Sequence, residues 1–210
     1  MADNGSLVEL LDYRRRVWEI YANLRNSDLP REQRWLDFRA ARDNLFTTHP
    51  QSALTPEQKA NFSGLSYFPY DTAWRFVLRV DTDVEPHIIE VDLEEDGLFN
   101  MQRVGKVHFD VNGEGVSLSL FWILGYGGGL FLPFRDATAQ TGESYGGGRY
   151  LLDTIKGADL GTEGDKLILD FNYAYNPSCA YNPRWHCPLP PKENWLDLSV
   201  PVGERAYQLR

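Results

Sequence analysis

The chain is short of cysteine, of surplus positive charge and of uninterrupted apolar sequence. Only 2 of its 210 residues are cysteine. A chain of this length buries roughly 70% of its extended surface on folding, so it needs neither metal nor disulfide to hold a core. Lys and Arg number 21 against 30 Asp and Glu, giving a net charge of -9. That balance argues against nucleic acid and anionic membrane as partners, because both reward clustered Lys and Arg. The longest uncharged stretch, residues 115–134, is broken by Gly125, Gly127, Gly128, Gly129 and Pro133. Interior glycines cost a helix about 1 kcal/mol each and an interior proline about 3, so strand, turn and strand is the expectation rather than a membrane span. The opening Met-Ala-Asp-Asn-Gly-Ser has no basic segment leading into an apolar core. A cytoplasmic location with reduced Cys179 and Cys187 is therefore expected. Neither phosphate-cradling glycine fingerprint is present.

What is present reads as a soluble globular chain, 42% hydrophobic and 24% charged, with two kinds of periodicity. Residues 1–62 read as an N-terminal helical segment. Ser6 with Glu9 forms a capping-box pattern, a second start lies near Asp28 with Pro30 just inside, and Thr55-Pro56 marks a third. The triplet Arg14-Arg15-Arg16 sits in a region with 8 basic and 8 acidic residues among its first 50, which suits a solvated helix face.

Residues 63–210 read as an antiparallel β domain. Trp74, Phe76, Leu78 and Val80 alternate with polar neighbours, as do Ile89, Val91 and Leu93. A hairpin that sets Val80 opposite Ile89 also sets Arg79 opposite Glu90 and Arg75 opposite Glu94, which is self-consistent. It would offset part of a strongly acidic stretch, since residues 81–96 carry eight acids and no Lys or Arg. A second hairpin turns at Asn112-Gly113-Glu114-Gly115, and further strands are expected near 130–134, 149–154, 167–173 and 196–202. The fold class is thus α+β: N-terminal helices, then an antiparallel β-barrel or sandwich closed by an irregular C-terminal loop. Tyr126-Gly127-Gly128-Gly129 is echoed by Tyr145-Gly146-Gly147-Gly148, fitting either paired strand entries or a backbone that faces a ligand.

Polar side chains gather in residues 133–149 and 170–188. The stretches Gly128–Asp136, Gly147–Leu151 and Asp170–Asn194 resemble the family known as domain of unknown function 1684. Leu45-Phe46, His49-Pro50 and Gly64–Asp71 resemble its N-terminal part, and Cys179–Pro191 is the most specific portion. That family is bacterial and archaeal and has no established activity, so the resemblance implies no mechanism.

The residues must speak for themselves. Asp170 and Asn172 are two apart on an expected strand and share a face. A carboxylate there needs a partner, for which Arg149 is the natural guanidinium, with Arg135 and Asp136 in the same network. Two readings follow: a buried ion pair pinning the sheet, or a polar pocket lined by Arg135, Asp136, Arg149, Asp170, Asn172 and Tyr175. Such a pocket suits a small anion, and an enzyme could use Asp170 as base or Cys179 as nucleophile. A third reading gives the Tyr-, Asn- and Pro-rich tail a structural or partner-binding role, with Tyr175, Tyr181 and Trp185 as a plug. Cys179, His186 and Cys187 lack the Cys-x₂₋₄-Cys spacing of a zinc site. A Cys–His pair, a redox pair and packed thiols all stay open. No cofactor is implied.

Overall fold

The computed structural model describes residues 4–94 and 97–208. Helices α1 (Asn4–Asn26) and α2 (Arg31–Thr48) pack on each other. Tyr21 and Leu24 of α1 are buried with Trp35 and Phe38 of α2, and the Tyr21 and Phe38 rings meet edge to face at 5.6 Å. Ser6 lies inside α1 rather than capping it, and the Gln51 side chain donates to both Ser6 Oγ and Glu9 Oε2. The capping-box pair therefore receives the chain leaving α2. Pro30 is the N-cap of α2 rather than its second residue, with φ fixed at -53° and no side-chain cap. The third start forms as expected: Thr55 caps α3 (Pro56–Ala60) in a complete capping box with Gln58.

Eight strands follow among the described residues: β1 (Arg75–Leu78), β2 (Ile88–Asp92), β3 (Leu98–Val111), β4 (Glu114–Ile123), β5 (Gly129–Phe134), β6 (Arg149–Asp153), β7 (Thr162–Glu163) and β8 (Lys166–Asp170), with a one-turn α4 (Ala137–Gln140) between β5 and β6. They form two antiparallel sheets, ordered β2-β3-β4-β5-β6 and β1-β8-β7. The expected β3–β4 hairpin forms on a tighter turn, with Glu114 and Gly115 already in β4, Phe109 opposite Val116 and Val107 opposite Leu118. Asn112 and Gly113 turn it with positive φ at both positions, the twist that suits a two-residue hairpin. Strands β2 and β6 lie at opposite edges of the larger sheet, so no barrel is closed.

The hairpin expected between residues 74 and 93 does not form. β1 pairs with β8, with Arg75 opposite Asp170 and Leu78 opposite Leu167, while β2 pairs with β3. Arg75 bonds Glu163 at 2.6 Å and Arg79 bonds Asp165, so neither offsets the acids that follow. β8 and the turn that follows it add Leu169 and Phe171 to the core beside Trp74 and Phe76. That burial outweighs the rim charges of the local alternative. Of the acidic stretch, Glu95 and Asp96 lie outside the described residues. The two sheets meet where Asp81 and Lys106 exchange backbone hydrogen bonds of 2.8 Å. Gly105 permits the approach, since a Cβ there would lie 2.4 Å from Val80 Cγ1.

The larger sheet is buried on both faces. Val107, Leu118, Leu132 and Phe134 face the smaller sheet, while Met101, Phe121, Phe131 and Tyr150 face the helices. The expected strand at 196–202 is irregular chain, although Val200 and Val202 are in the core. Tyr175 and Tyr181 of the tail are buried and Trp185 is half-buried. No described helix is long and apolar enough to cross a membrane.

Asn194 joins the tail to the larger sheet. Fully buried, it accepts from Ser119 N and donates to the carbonyls of Ser119 and Pro133, all at 2.8–2.9 Å. Asn194→Ala strands all of these backbone groups in a dry interior. A loss of about 3 kcal/mol is expected in urea unfolding monitored by tryptophan fluorescence; a loss below about 1 kcal/mol would show that water replaces the amide.

Candidate functional site

The residues expected to share one pocket separate into distinct environments. Arg149 opens β6 opposite Phe134 of β5, and both are almost without solvent exposure. Two positions beyond Phe134, Asp136 reaches the guanidinium at 2.9 Å. The same guanidinium donates to the carbonyls of Val200, Val202 and Glu204. The second Asp136 oxygen accepts from Thr138 N, Thr138 Oγ1 and Val200 N, and Asp136 thereby caps α4. Burial draws the Arg149 pKa down from its usual range and Asp136 opposes that shift. The partner of Arg149 is thus Asp136 and not Asp170, because the β5–β6 register brings Asp136 alongside. Arg135 turns outward: it lies over the Trp195 ring at 4.6 Å and donates to the Gly146 carbonyl.

A second buried ion pair escaped the sequence reading. Arg42 of α2 meets Glu204 at 2.8 Å, and the Glu204 side chain is 1% exposed. Tyr181 OH and the Asn176 backbone and side-chain amides also donate to that carboxylate. Arg42 also bonds the Tyr67 hydroxyl, and its guanidinium lies over the Phe46 and Tyr175 rings. Tyr175 thus serves as a wall of this interior pair. Burial pushes the Glu204 carboxyl up, with Arg42 as the main opposing influence. The signal was readable: Arg42 falls on the apolar stripe Trp35, Phe38, Leu45 of α2.

Asp170 and Asn172 lie elsewhere. Strand β8 ends at Asp170, which caps a single 3-10 turn over Phe171–Tyr173, so the two do not alternate along one strand. The Asn172 amide donates to Asp170 Oδ1 at 2.8 Å and to the Asp71 carbonyl at 2.8 Å, and its oxygen accepts from Asp71 N. Burial pushes the Asp170 carboxyl up, while Asn172, Arg75 and Arg31 oppose this. This clamp holds residues 70–72 against the start of α2.

An open cleft of about 610 Å³ lies there, walled by Pro30, Arg31, Arg34, Tyr70, Asp71 and Thr72 among others. Tyr70 and Arg34 line it, but the Tyr70 hydroxyl and Arg34 Nε are shielded from solvent, and Arg34 Nη1 donates to the Leu24 carbonyl at 3.3 Å. No side chain caps the first turn of α2, whose N–H groups carry the positive end of the helix dipole.

The thiols form a third location. Cys179 and Cys187 are unbridged and half-buried, and Cys179 N–H donates to Cys187 Sγ at 3.4 Å. His186 pairs with Glu94 at 3.4 Å rather than with a thiol.

The model of the family described as "Protein of unknown function (DUF1684)" matches residues 60–205. The chain belongs to that family. The DUF1684 match takes in Tyr70, Asp136, Arg149, Asp170, both thiols and Glu204, and leaves α1 and α2 outside it. An uncharacterized protein of Haloarcula marismortui, whose structure was solved by solution NMR, is 36% identical. The alignment covers 83% of this chain and 93% of that one, with a TM-score of 0.58. No curated protein matches the chain.

Asp136→Ala leaves Arg149 charged, buried and without its carboxylate. A loss of about 3–5 kcal/mol in chemical unfolding is expected; a loss under about 1 kcal/mol would show that the pair is hydrated. Asp170 gives a pH test. A carboxyl whose pKa is raised on folding binds more protons in the native state, so its contribution to stability falls as pH rises from the unfolded value of about 3.9 through the native one. In that interval the wild-type stability curve should fall more steeply, or rise less steeply, than that of Asp170→Asn. Parallel curves would mean that Asp170 titrates normally.

Proposed function

We propose that the protein binds a small anionic molecule in the cleft between the start of α2 and residues 70–72. The observation that carries this reading is the meeting of Arg31, Arg34 and the uncapped start of α2 around one opening. Two features there favour negative charge, against the Glu32 and Asp71 carboxylates that also line the opening. The uncapped helix start presents backbone N–H groups and a positive dipole end. Arg31 and Arg34 add cationic donors suited to carboxylate or phosphate. Asp170 and Asn172, the inner part of the pocket expected from the sequence, brace the Asp71 backbone from below. The volume suits a metabolite-sized molecule. The Asp136 carboxylate and the terminal nitrogens of Arg149 spend their hydrogen bonds on each other and on neighbouring chain, so the proposed ligand site lies outside that pair.

Calorimetric titration with inorganic phosphate and with succinate tests the reading. Saturable binding is expected for at least one of them, weakened about tenfold by Arg34→Ala and less by Tyr70→Phe, with Arg184→Ala unchanged. Absence of binding to either anion, or affinity unaffected by Arg34→Ala, would overturn it.

A further inference from the structure

The thiol pair in the tail lies apart from the proposed ligand cleft. Residues 178–180 form a single 3-10 turn after Pro177, and Cys187 returns to its start. Cys187 Sγ accepts the Cys179 N–H at 3.4 Å, and Lys156 is a nearby positive charge. Cys179 Sγ accepts the Tyr145 hydroxyl at 3.5 Å. The backbone bond thus draws the Cys187 sulfur against the turn that carries Cys179. Both cysteines are half-buried, and the adjoining imidazole of His186 is engaged by Glu94.

We propose that Cys187 and Cys179 form a peroxide-reactive dithiol, with Cys187 as the attacking sulfur and Cys179 as the resolving one. In the first step the Cys187 thiolate attacks one oxygen of a hydroperoxide. An S–O bond forms, the O–O bond breaks, and the departing oxygen takes a proton to leave as water or an alcohol. In the second step Cys179 sulfur attacks the Cys187 sulfenic acid. The S–S bond forms, the S–O bond breaks, and the hydroxyl leaves as water with the Cys179 proton. The two thiols are oxidised by two electrons and the peroxide is reduced by two. The electrostatics agree: the Cys179 S–H, foremost, draws the Cys187 pKa down to about 6, while Cys179 is pushed up by its partner and by burial. The reacting nucleophile is the thiolate, and Cys187 takes that role because its sulfur accepts a backbone N–H and lies near the Lys156 cation. Proximity then favours the intramolecular disulfide over further oxidation.

Intact mass spectrometry of the full chain after equimolar hydrogen peroxide tests this. Wild type should lose two hydrogens, with a Cys179–Cys187 link in the peptide map and no dimedone adduct. Cys179→Ser should retain a sulfenic acid on Cys187 that dimedone traps, and Cys187→Ser should show neither product at that dose. Limited iodoacetamide labelling of unsubstituted protein at pH 7 should modify Cys187 about tenfold faster than a thiol of ordinary pKa near 8.5, and ahead of Cys179. Equal peroxide sensitivity of the two variants, labelling of Cys179 first, or disulfides only between chains would overturn the proposal.

Discussion

Arg149 is a buried cation whose two terminal nitrogens are spent on one carboxylate and on a stretch of chain that has no strand to pair with. The carbonyls it holds belong to Val200, Val202 and Glu204. Alternate carbonyls of an extended segment point the same way, so a single guanidinium can do for this segment what a neighbouring strand does in a sheet. Val200 and Val202 can then bury their side chains in the core without stranding their carbonyls. Fixing Glu204 has a further consequence, because its carboxylate receives Arg42 of α2. Two interior ion pairs in series thus connect β6, the tail and the helices. Neither pair is a strong source of net stability, since removing the charges from water offsets most of their attraction. Their effect is to exclude other arrangements of the tail, each of which would leave a charge buried and alone.

Much of the fold was legible where the deciding contacts are local. The Asn112–Gly113 hairpin, the Thr55–Pro56–Gln58 helix start and the strands at β5 and β6 are set by neighbours in sequence. The failures share one cause. The local hairpin at 74–93 satisfied both apolar and charge pairing, yet β8 and the turn that follows it, about 90 residues away, offered more apolar burial. Val200 and Val202 alternate as a strand does, and the alternation was real, but the partner of their backbone is an arginine. Asp170 was read as part of a continuing strand, whereas its side chain caps the turn that ends the strand.

The candidate site was legible in kind rather than in place. Paired Asp and Arg residues do concentrate in the regions expected, but most of them satisfy one another. What distinguishes the cleft at α2 is that Arg31, Arg34 and an uncapped helix start line one opening with residues 70–72, and that depends on distant segments meeting across the fold. Arg42 shows the same limit from the other side: its place on an apolar stripe was visible, and its partner 162 positions away was not. The family and its solved relative are themselves uncharacterized, so the chemistry rests on this geometry.

The central claim is a division of labour between interior ion pairs that hold the fold and a cationic rim at the start of α2 that takes a ligand. A ¹⁵N-resolved NMR titration with inorganic phosphate tests it most directly. Shifts should concentrate on the amides of residues 31–33 and 70–72 and on the Arg34 Nε–H, leaving Arg149 Nε–H and the amides of residues 200–204 in place. Shifts centred on Arg149 and residues 200–204 would contradict the division and return the site to the interior.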